Sequence, residues 1–312
     1  MKYKKIYLFL IIQFALLADY THAAIVPASP SINATAYLVM DFNSGKFLAE
    51  KDIDKRVDPA SLTKMMTTYI VASEINDGNI GLDDMVRVSE KAWRMEGSRM
   101  FIEVDKEVSV ENLLKGVIIQ SGNDASVALA EYIAGTEDVF AAIMNQYANT
   151  LGMNNTNFTN SSGLPDENHY TTTRDLSILA NAIIKDHPEL YKWHSIKEFT
   201  FNDIKQPNRN LLLWRDESVD GIKTGHTESA GYCLVASALR DGMRLITVVM
   251  GTEGMESRAR ASQSLFGYAF RFFETHKYYT KAEELVATQI WKGEVETLAL
   301  GVDRDIWITI PR

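Results

Sequence analysis

Pro59-Ala60-Ser61-Leu62-Thr63-Lys64-Met65-Met66-Thr67-Thr68-Tyr69-Ile70-Val71-Ala72-Ser73-Glu74-Ile75 is the stretch on which the reading of this chain turns. Met65, Tyr69, Ala72 and Ile75 recur at helical spacing, Pro59 precedes them, and Asn76-Asp77-Gly78 ends the run, so a helix over 61–75 is expected. Residues three apart on a helix share a face, which lets Lys64 reach the hydroxyl of Ser61 at the helix start. A serine hydroxyl becomes a useful nucleophile at neutral pH only with a base beside it. Lysine can be that base only when neutral, a state favoured by burial and by a neighbouring cation.

Working outward, residues 36–40 and 46–49 flank Asn43-Ser44-Gly45 and read as a hairpin. On the other side, residues 108–186 are helix-rich. Helical runs over 110–120, 125–134 and 139–151 are separated by Ser121-Gly122-Asn123 and by Gly135, and Thr173 is expected to cap a helix through Ile184. From Asp220 the pattern turns to strands, with 231–239 and 244–250 joined by the hairpin signal Asp241-Gly242. An amphipathic helix over 257–275 places Leu265, Phe266, Ala269, Phe270 and Phe273 on its inward face. Strands at both ends around a helical middle predict an α+β fold, with an antiparallel sheet assembled from distant segments and covered by helices.

The bulk numbers agree with a globular protein. At 312 residues and 46% hydrophobic content there is enough chain for one large domain plus a small one. The first 23 residues read as a signal peptide, with Lys2, Lys4 and Lys5 ahead of an apolar run over 6–17 and Thr21-His22-Ala23 at the cleavage position. That run is short for a bilayer, which needs about 20 residues. The net charge of -9 becomes -11 without the signal's net +2, and so acidic a chain disfavours nucleic acid as a partner. Cys233 is the sole cysteine and sits in the apolar run 232–236, so a buried structural thiol is expected and no intrachain disulfide is possible.

Three short motifs occur in order: Ser61-Leu62-Thr63-Lys64, Ser121-Gly122-Asn123 and Lys223-Thr224-Gly225. Each alone is weak, and together they form the set of penicillin-interacting serine enzymes. Ser121 can relay a proton between Lys64 and a leaving amine, while the Asn123 amide can accept from a lysine and donate to a substrate carbonyl. Lys223 can lower the proton affinity of Lys64 and offer positive charge to a substrate carboxylate. The backbone N–H groups of Ser61 and of His226, which follows Gly225, suit an oxyanion hole. The His226 imidazole lacks the partners of a Ser-His-Asp arrangement. The chain has no P-loop, G-x-G-x-x-G, H-E-x-x-H or G-x-S-x-G motif, and no cofactor is implied.

Across essentially all of the mature sequence the chain resembles the low-molecular-weight penicillin-binding proteins of the serine D-alanyl-D-alanine carboxypeptidase group. The likeness extends to Asp220-Gly221-Ile222-Lys223-Thr224-Gly225-His226-Thr227, Gln120-Ser121-Gly122-Asn123-Asp124-Ala125, Phe270-Arg271-Phe272-Phe273-Glu274 and Gly301-Val302-Asp303. The resemblance implies a β-lactamase/transpeptidase-like fold with a helical subdomain. It implies that Ser61 carries an acyl group, Lys64 takes its proton, Ser121 and Asn123 complete the site, and Lys223 contacts substrate. Thr224, Arg209 and Arg258 match positions that hold the substrate's terminal carboxylate. The implied substrate is a peptidoglycan stem peptide ending in D-Ala-D-Ala, with β-lactams as covalent inhibitors and the periplasm or cell envelope as location.

The expected division is a signal peptide over 1–23, a catalytic domain over 24–276, and the start of a small β-rich C-terminal domain over 277–312. In that last part Trp307-Ile308-Thr309-Ile310 reads as a strand without a later partner, its alternative being to dock on Ile290-Trp291. The family's C-terminal amphipathic anchor has no counterpart before Arg312, which leaves membrane contact open. A serine β-lactamase is disfavoured by Ser121-Gly122-Asn123 in place of S-D-N and by the missing E-x-x-L-N segment. A penicillin-binding sensor or scaffold without turnover is disfavoured by the intact set of Ser61, Lys64, Ser121 and Lys223.

Overall fold

The computed structural model describes residues 26–312, and the expected signal peptide lies outside the described residues. Strands β1 (Ala36–Asp41) and β2 (Phe47–Lys51) form the N-terminal hairpin. A 3₁₀ turn (Ala60–Thr63) leads into helix α1 (Lys64–Asn76), so Ser61 sits on the tight turn and Lys64 opens the α-helix. A small β3/β4 pair (Met85–Arg87, Glu107–Ser109) precedes α2 (Val110–Lys115), which widens into a π-helical turn (Gly116–Gln120). Then come α3 (Asn123–Ala134), α4 (Glu137–Leu151) and α5 (Thr173–Asp186). The cap of α5 is Thr172, whose hydroxyl accepts from the Asp175 N–H at 3.1 Å, and the expected cap Thr173 is the first helical residue.

After the β5/β6 hairpin (Glu198–Phe201, Ile204–Pro207), three long strands complete the main sheet: β7 (Val219–Thr227), β8 (Gly231–Arg240) and β9 (Met243–Thr252). Its order is β2-β1-β9-β8-β7, antiparallel throughout. The N-terminal hairpin therefore joins the C-terminal strands through β1 and β9, from Ala36↔Met250 to Asp41↔Leu245. Alternate residues of these strands face opposite cores. Ala36, Leu38, Met40, Ile246 and Val248 pack with α1, α4 and α5, whereas Tyr37, Val39, Leu245 and Val249 pack under α6 (Met255–Phe272). A third core fills the helical subdomain around α2 and α3.

Helix α6 ends at Phe272, three residues before the expected end, because Phe273 is extended (φ -131°, ψ 155°) and begins β10 (Phe273–Tyr279). Phe273 still contributes to the inner core, from the strand. Strand β11 (Glu284–Gln289) pairs with β12 (Thr297–Gly301), and β13 (Ile306–Pro311) pairs with β10. The strand around Trp307-Ile308-Thr309-Ile310 thus has an earlier partner, Lys277↔Trp307 and Glu274↔Ile310 among its pairs, and does not dock on Ile290-Trp291. The line drawn at 276/277 falls inside β10. No helix among the described residues is long and apolar enough to cross a membrane.

Candidate active site

The 3₁₀ turn bearing Ser61 is held in a narrow slot. Ala60 takes a left-handed φ of +47°, and its carbonyl lies where any side chain on Gly163 would have to stand. On the opposite side Gly225 of β7 packs closely on the same turn, since a Cβ there would come within 3.1 Å of the Pro59 carbonyl and 3.3 Å of Ala60 Cβ. Glycine on both flanks lets the Ser61 turn lie close against the edge strand of the sheet.

The i to i+3 geometry places Lys64 Nζ 3.1 Å from Ser61 Oγ. Lys64 is fully buried. Its amine also donates to Asn123 Oδ1 at 2.7 Å and to the Ser162 carbonyl. Two of these partners are carbonyl oxygens that can only accept, while the Ser61 hydroxyl can also donate, so a neutral amine gives its two N–H groups to the carbonyls and keeps its lone pair for the Ser61 proton. Burial, followed by the charge of Arg209, lowers the Lys64 pKa to about 7, against the opposing pull of Asp124 and Glu137. The cation that weighs on Lys64 is therefore Arg209, where Lys223 was expected.

A cavity of about 420 Å³ opens above Ser61, lined also by Ser121, Asn123, Thr224, Gly225, His226, Arg209 and Arg258. Lys223 is not in that lining. It is buried, its Nζ donates to the Thr224 carbonyl at 3.2 Å, and burial together with the charges of Lys64, Arg209 and Arg258 holds its pKa well below the ordinary lysine value. The positive charge facing the cavity comes from the two arginines, and no acidic residue lines it. Neither arginine makes an ion pair among the described residues. Arg258 is buried and is fixed by Nη1 donating to the carbonyls of Gly225 (3.0 Å) and Cys233 (3.3 Å). Burial lowers its pKa to about 10, which leaves it charged at neutral pH.

Ser121 follows the π turn in a left-handed conformation, φ +66°. Its hydroxyl is buried and has no hydrogen-bond partner, and no bond links it to Lys64. Asn123 keeps its expected acceptor role, but its amide N–H donates to the Glu96 carbonyl at 2.6 Å. His226 lies on the edge strand with its exposed ring 4.0 Å from that of Tyr232. Cys233 is buried beneath the site as a free thiol, its pKa raised to about 11 chiefly by burial.

Several supporting groups were not singled out from sequence. The Asp124 carboxylate accepts from the N–H groups of Met100 (3.0 Å), Phe101 (2.9 Å), Ile102 (3.3 Å) and Ala125 (2.9 Å), pinning the segment that brings Gly97 and Ser98 to the cavity. Thr67 donates to the Ser161 carbonyl at 2.7 Å, and Glu137 accepts from Ser161 N and Oγ. His169 Nδ1 accepts from the Thr159 N–H at 3.0 Å, so Nε2 carries the proton and donates to Thr63 Oγ1 at 2.7 Å. These bonds tie the 159–163 loop, and with it the Ser162 carbonyl, to the start of α1.

A family profile described as D-alanyl-D-alanine carboxypeptidase matches residues 23–254. The D-alanyl-D-alanine carboxypeptidase DacA of Escherichia coli is 44% identical over 301 residues, covering 94% of this chain and 75% of the relative. Penicillin binding protein 5 from Haemophilus influenzae superposes with a TM-score of 0.89 at 46% identity, covering 92% of this chain and 85% of that one. Penicillin-binding protein D2 from Listeria monocytogenes, solved in an ampicillin-bound form, superposes with a TM-score of 0.72 at 30% identity over 78% of this chain and 100% of that one.

Proposed function

Because this chain belongs to the D-alanyl-D-alanine carboxypeptidase family, we propose that Ser61, with Lys64 as its base, performs the acyl transfer of a serine D-alanyl-D-alanine carboxypeptidase. The chain is a serine hydrolase of penicillin-binding type with an α+β, transpeptidase-like fold. The observation that carries the assignment of roles is the 3.1 Å contact between Ser61 Oγ and a wholly buried Lys64 amine whose other two contacts are acceptors.

In the first half-reaction Ser61 Oγ attacks the carbonyl carbon between the two D-alanines while its proton passes to Lys64. The backbone N–H groups of Ser61 and His226 steady the oxyanion. The C–N bond breaks, the leaving amine takes up a proton, and free D-alanine departs. Ser121 is the group best suited to hand over that proton, since its buried hydroxyl lines the cavity and is not engaged elsewhere. In the second half water adds its oxygen to the acyl carbon, its hydrogen returns to Ser61, and the shortened peptide leaves. The terminal carboxylate of the substrate is held by Arg258 and Arg209 with Thr224, a role supported by two unpaired cations in an acid-free lining. Lys223, buried in β7, supports that strand by donating from Nζ to the Thr224 carbonyl.

The substrate is the peptidoglycan stem peptide, and β-lactams acylate the same Ser61 Oγ by opening of the lactam C–N bond, which blocks it. Export to the cell envelope is supported by the signal-like pattern of residues 1–23. A catalytic domain over 24–276 with a β-rich appendage is supported by the placement of all three motifs before β10. Mass spectrometry after penicillin treatment, with D-alanine release measured alongside, tests the assignment. The adduct should sit on the Ser61 peptide, and Ser61→Ala should abolish both adduct and release; labelling that persists in Ser61→Ala would sink it.

A further inference from the structure

A second cavity, of about 780 Å³, opens near the far edge of the main sheet from β7, between the β1–β2 turn, α5 and the approach to β13. Its walls carry the aromatic rings of Phe42, Phe47 and Trp307, interleaved with the polar side chains of Asn43, Ser44 and Asn181. The wall from β13 is bonded in place. Ser44 Oγ lies 2.6 Å from Thr309 Oγ1, Lys46 Nζ donates to the Thr309 carbonyl at 3.1 Å, and Thr275 Oγ1 donates to Asp41 Oδ2 at 2.7 Å.

The charges lining this groove are unequally engaged. Arg174 holds Asp54 through two bonds of 2.7 and 3.0 Å, and the one acidic residue of the lining, Asp305, is taken by Lys277 at 2.6 Å. Lys185 and Arg304 also line the groove, both exposed, and neither makes an ion pair among the described residues. On a chain of net charge -9 this is a local surplus of two free cations beside three aromatic rings. Flat aromatic faces accept the C–H faces of sugar rings, amides and hydroxyls accept sugar hydroxyls, and ammonium and guanidinium groups take carboxylates. An acyl chain would have no use for the interleaved Asn43, Ser44 and Asn181.

We propose that this groove binds the glycan-peptide body of the wall polymer, at a distance from the stem end being cleaved. The proposal rests on the carboxypeptidase reading, which supplies the polymer as substrate. The groove and the Ser61 cavity share no lining residue, and four strand steps of about 4.8 Å put the β2 and β7 edges roughly 19 Å apart, so a ligand engaging both places must be extended, as a polymer is. Engaging both places turns the second contact into an intramolecular one and raises the effective concentration of stem ends at Ser61.

The test uses the full chain with Ser61 blocked by penicillin, so that retention on purified insoluble peptidoglycan reports the groove alone. Blocked wild type should co-sediment at low salt, and Lys185→Glu with Arg304→Glu should lower retention about tenfold through reversal of both free cations. Trp307→Ala, which leaves the charges in place, should lower it several-fold. Unblocked variants should release D-alanine from a soluble peptide within about twofold of wild type yet fall behind on the polymer. Equal retention of wild type and the charge-reversed variant would overturn the proposal, as would binding to vesicles of anionic phospholipid without binding to peptidoglycan. Absence of D-alanine release from the soluble peptide by wild type would instead overturn the carboxypeptidase reading and remove the groove's ligand with it.

Discussion

At the scale of single residues the decisive group is Lys64. With a pKa of about 7, its neutral fraction rises with pH through neutrality, so the acylation rate should climb through pH 7 and level off above it. Penicillin acylation followed across pH 5–9 reads this directly. Lys64→Arg should acylate at least about a thousandfold more slowly, because guanidinium keeps its proton and loses the base contribution. The same depressed pKa has a stability sign. Between the folded value and the ordinary lysine value the unfolded chain binds the extra proton, so this group's contribution makes stability rise as pH increases from about 7 upward. Asp124 is a positioning residue with two measurable effects. In Asp124→Asn the new amide would face backbone N–H donors, loosening the 100–102 segment, and acylation should fall about tenfold, the equivalent of one lost hydrogen bond to a charged group. Removing its negative charge, which favours the Lys64 proton, should also move the acid limb of the pH profile to lower pH, an effect that loosening alone does not produce.

At the scale of elements, α6 packs on one face of the sheet, with Leu265, Phe266 and Ala269 fully buried. Phe266→Ala should destabilise the fold by about 3–5 kcal/mol, measured by urea denaturation, through lost transfer energy and the void it leaves. The sheet hairpins, the helical middle and α6 were legible because their apolar residues repeat with the period of the element, and Asp241-Gly242 states its turn outright. The join between α6 and β10 was not legible, since Phe270-Arg271-Phe272-Phe273 satisfies a helical stripe and a strand equally well and the choice is made by pairing with β13. At the site, Ser61, Lys64, Ser121 and Asn123 were nameable because their chemistry needs particular side chains. The carbonyls of Ser162 and Glu96 left no trace, since every residue carries one. The eclipse of Lys223 by Arg209 depends on burial and on which cation faces the cavity, neither of which a linear motif encodes.

At the scale of the whole molecule, the appended strands are joined to the sheet domain by few bonds, chiefly Thr309 to Ser44 and Lys46 and Thr275 to Asp41. A chain ended after Tyr279 keeps Thr275, loses Thr309, and should fold and acylate penicillin while losing about 1–3 kcal/mol in a thermal melt. Failure of that shorter chain to melt cooperatively would make the appendage integral to folding. The strand order carries a different kind of consequence, one concerned with time. Since β1 lies between β2 and β9, the first strands to leave a ribosome or a translocation pore have an unpaired inner edge until residues 243–252 have followed them. Closing so long a loop is slow relative to local helix formation, so the helical middle can order itself well before the sheet closes. The turn holding Ser61 is clamped from one side by Gly225 of β7, which itself waits on β8 and β9 for its place. A half-delivered chain is therefore chemically silent, and reactivity toward its substrate begins only when almost the entire catalytic sequence has arrived.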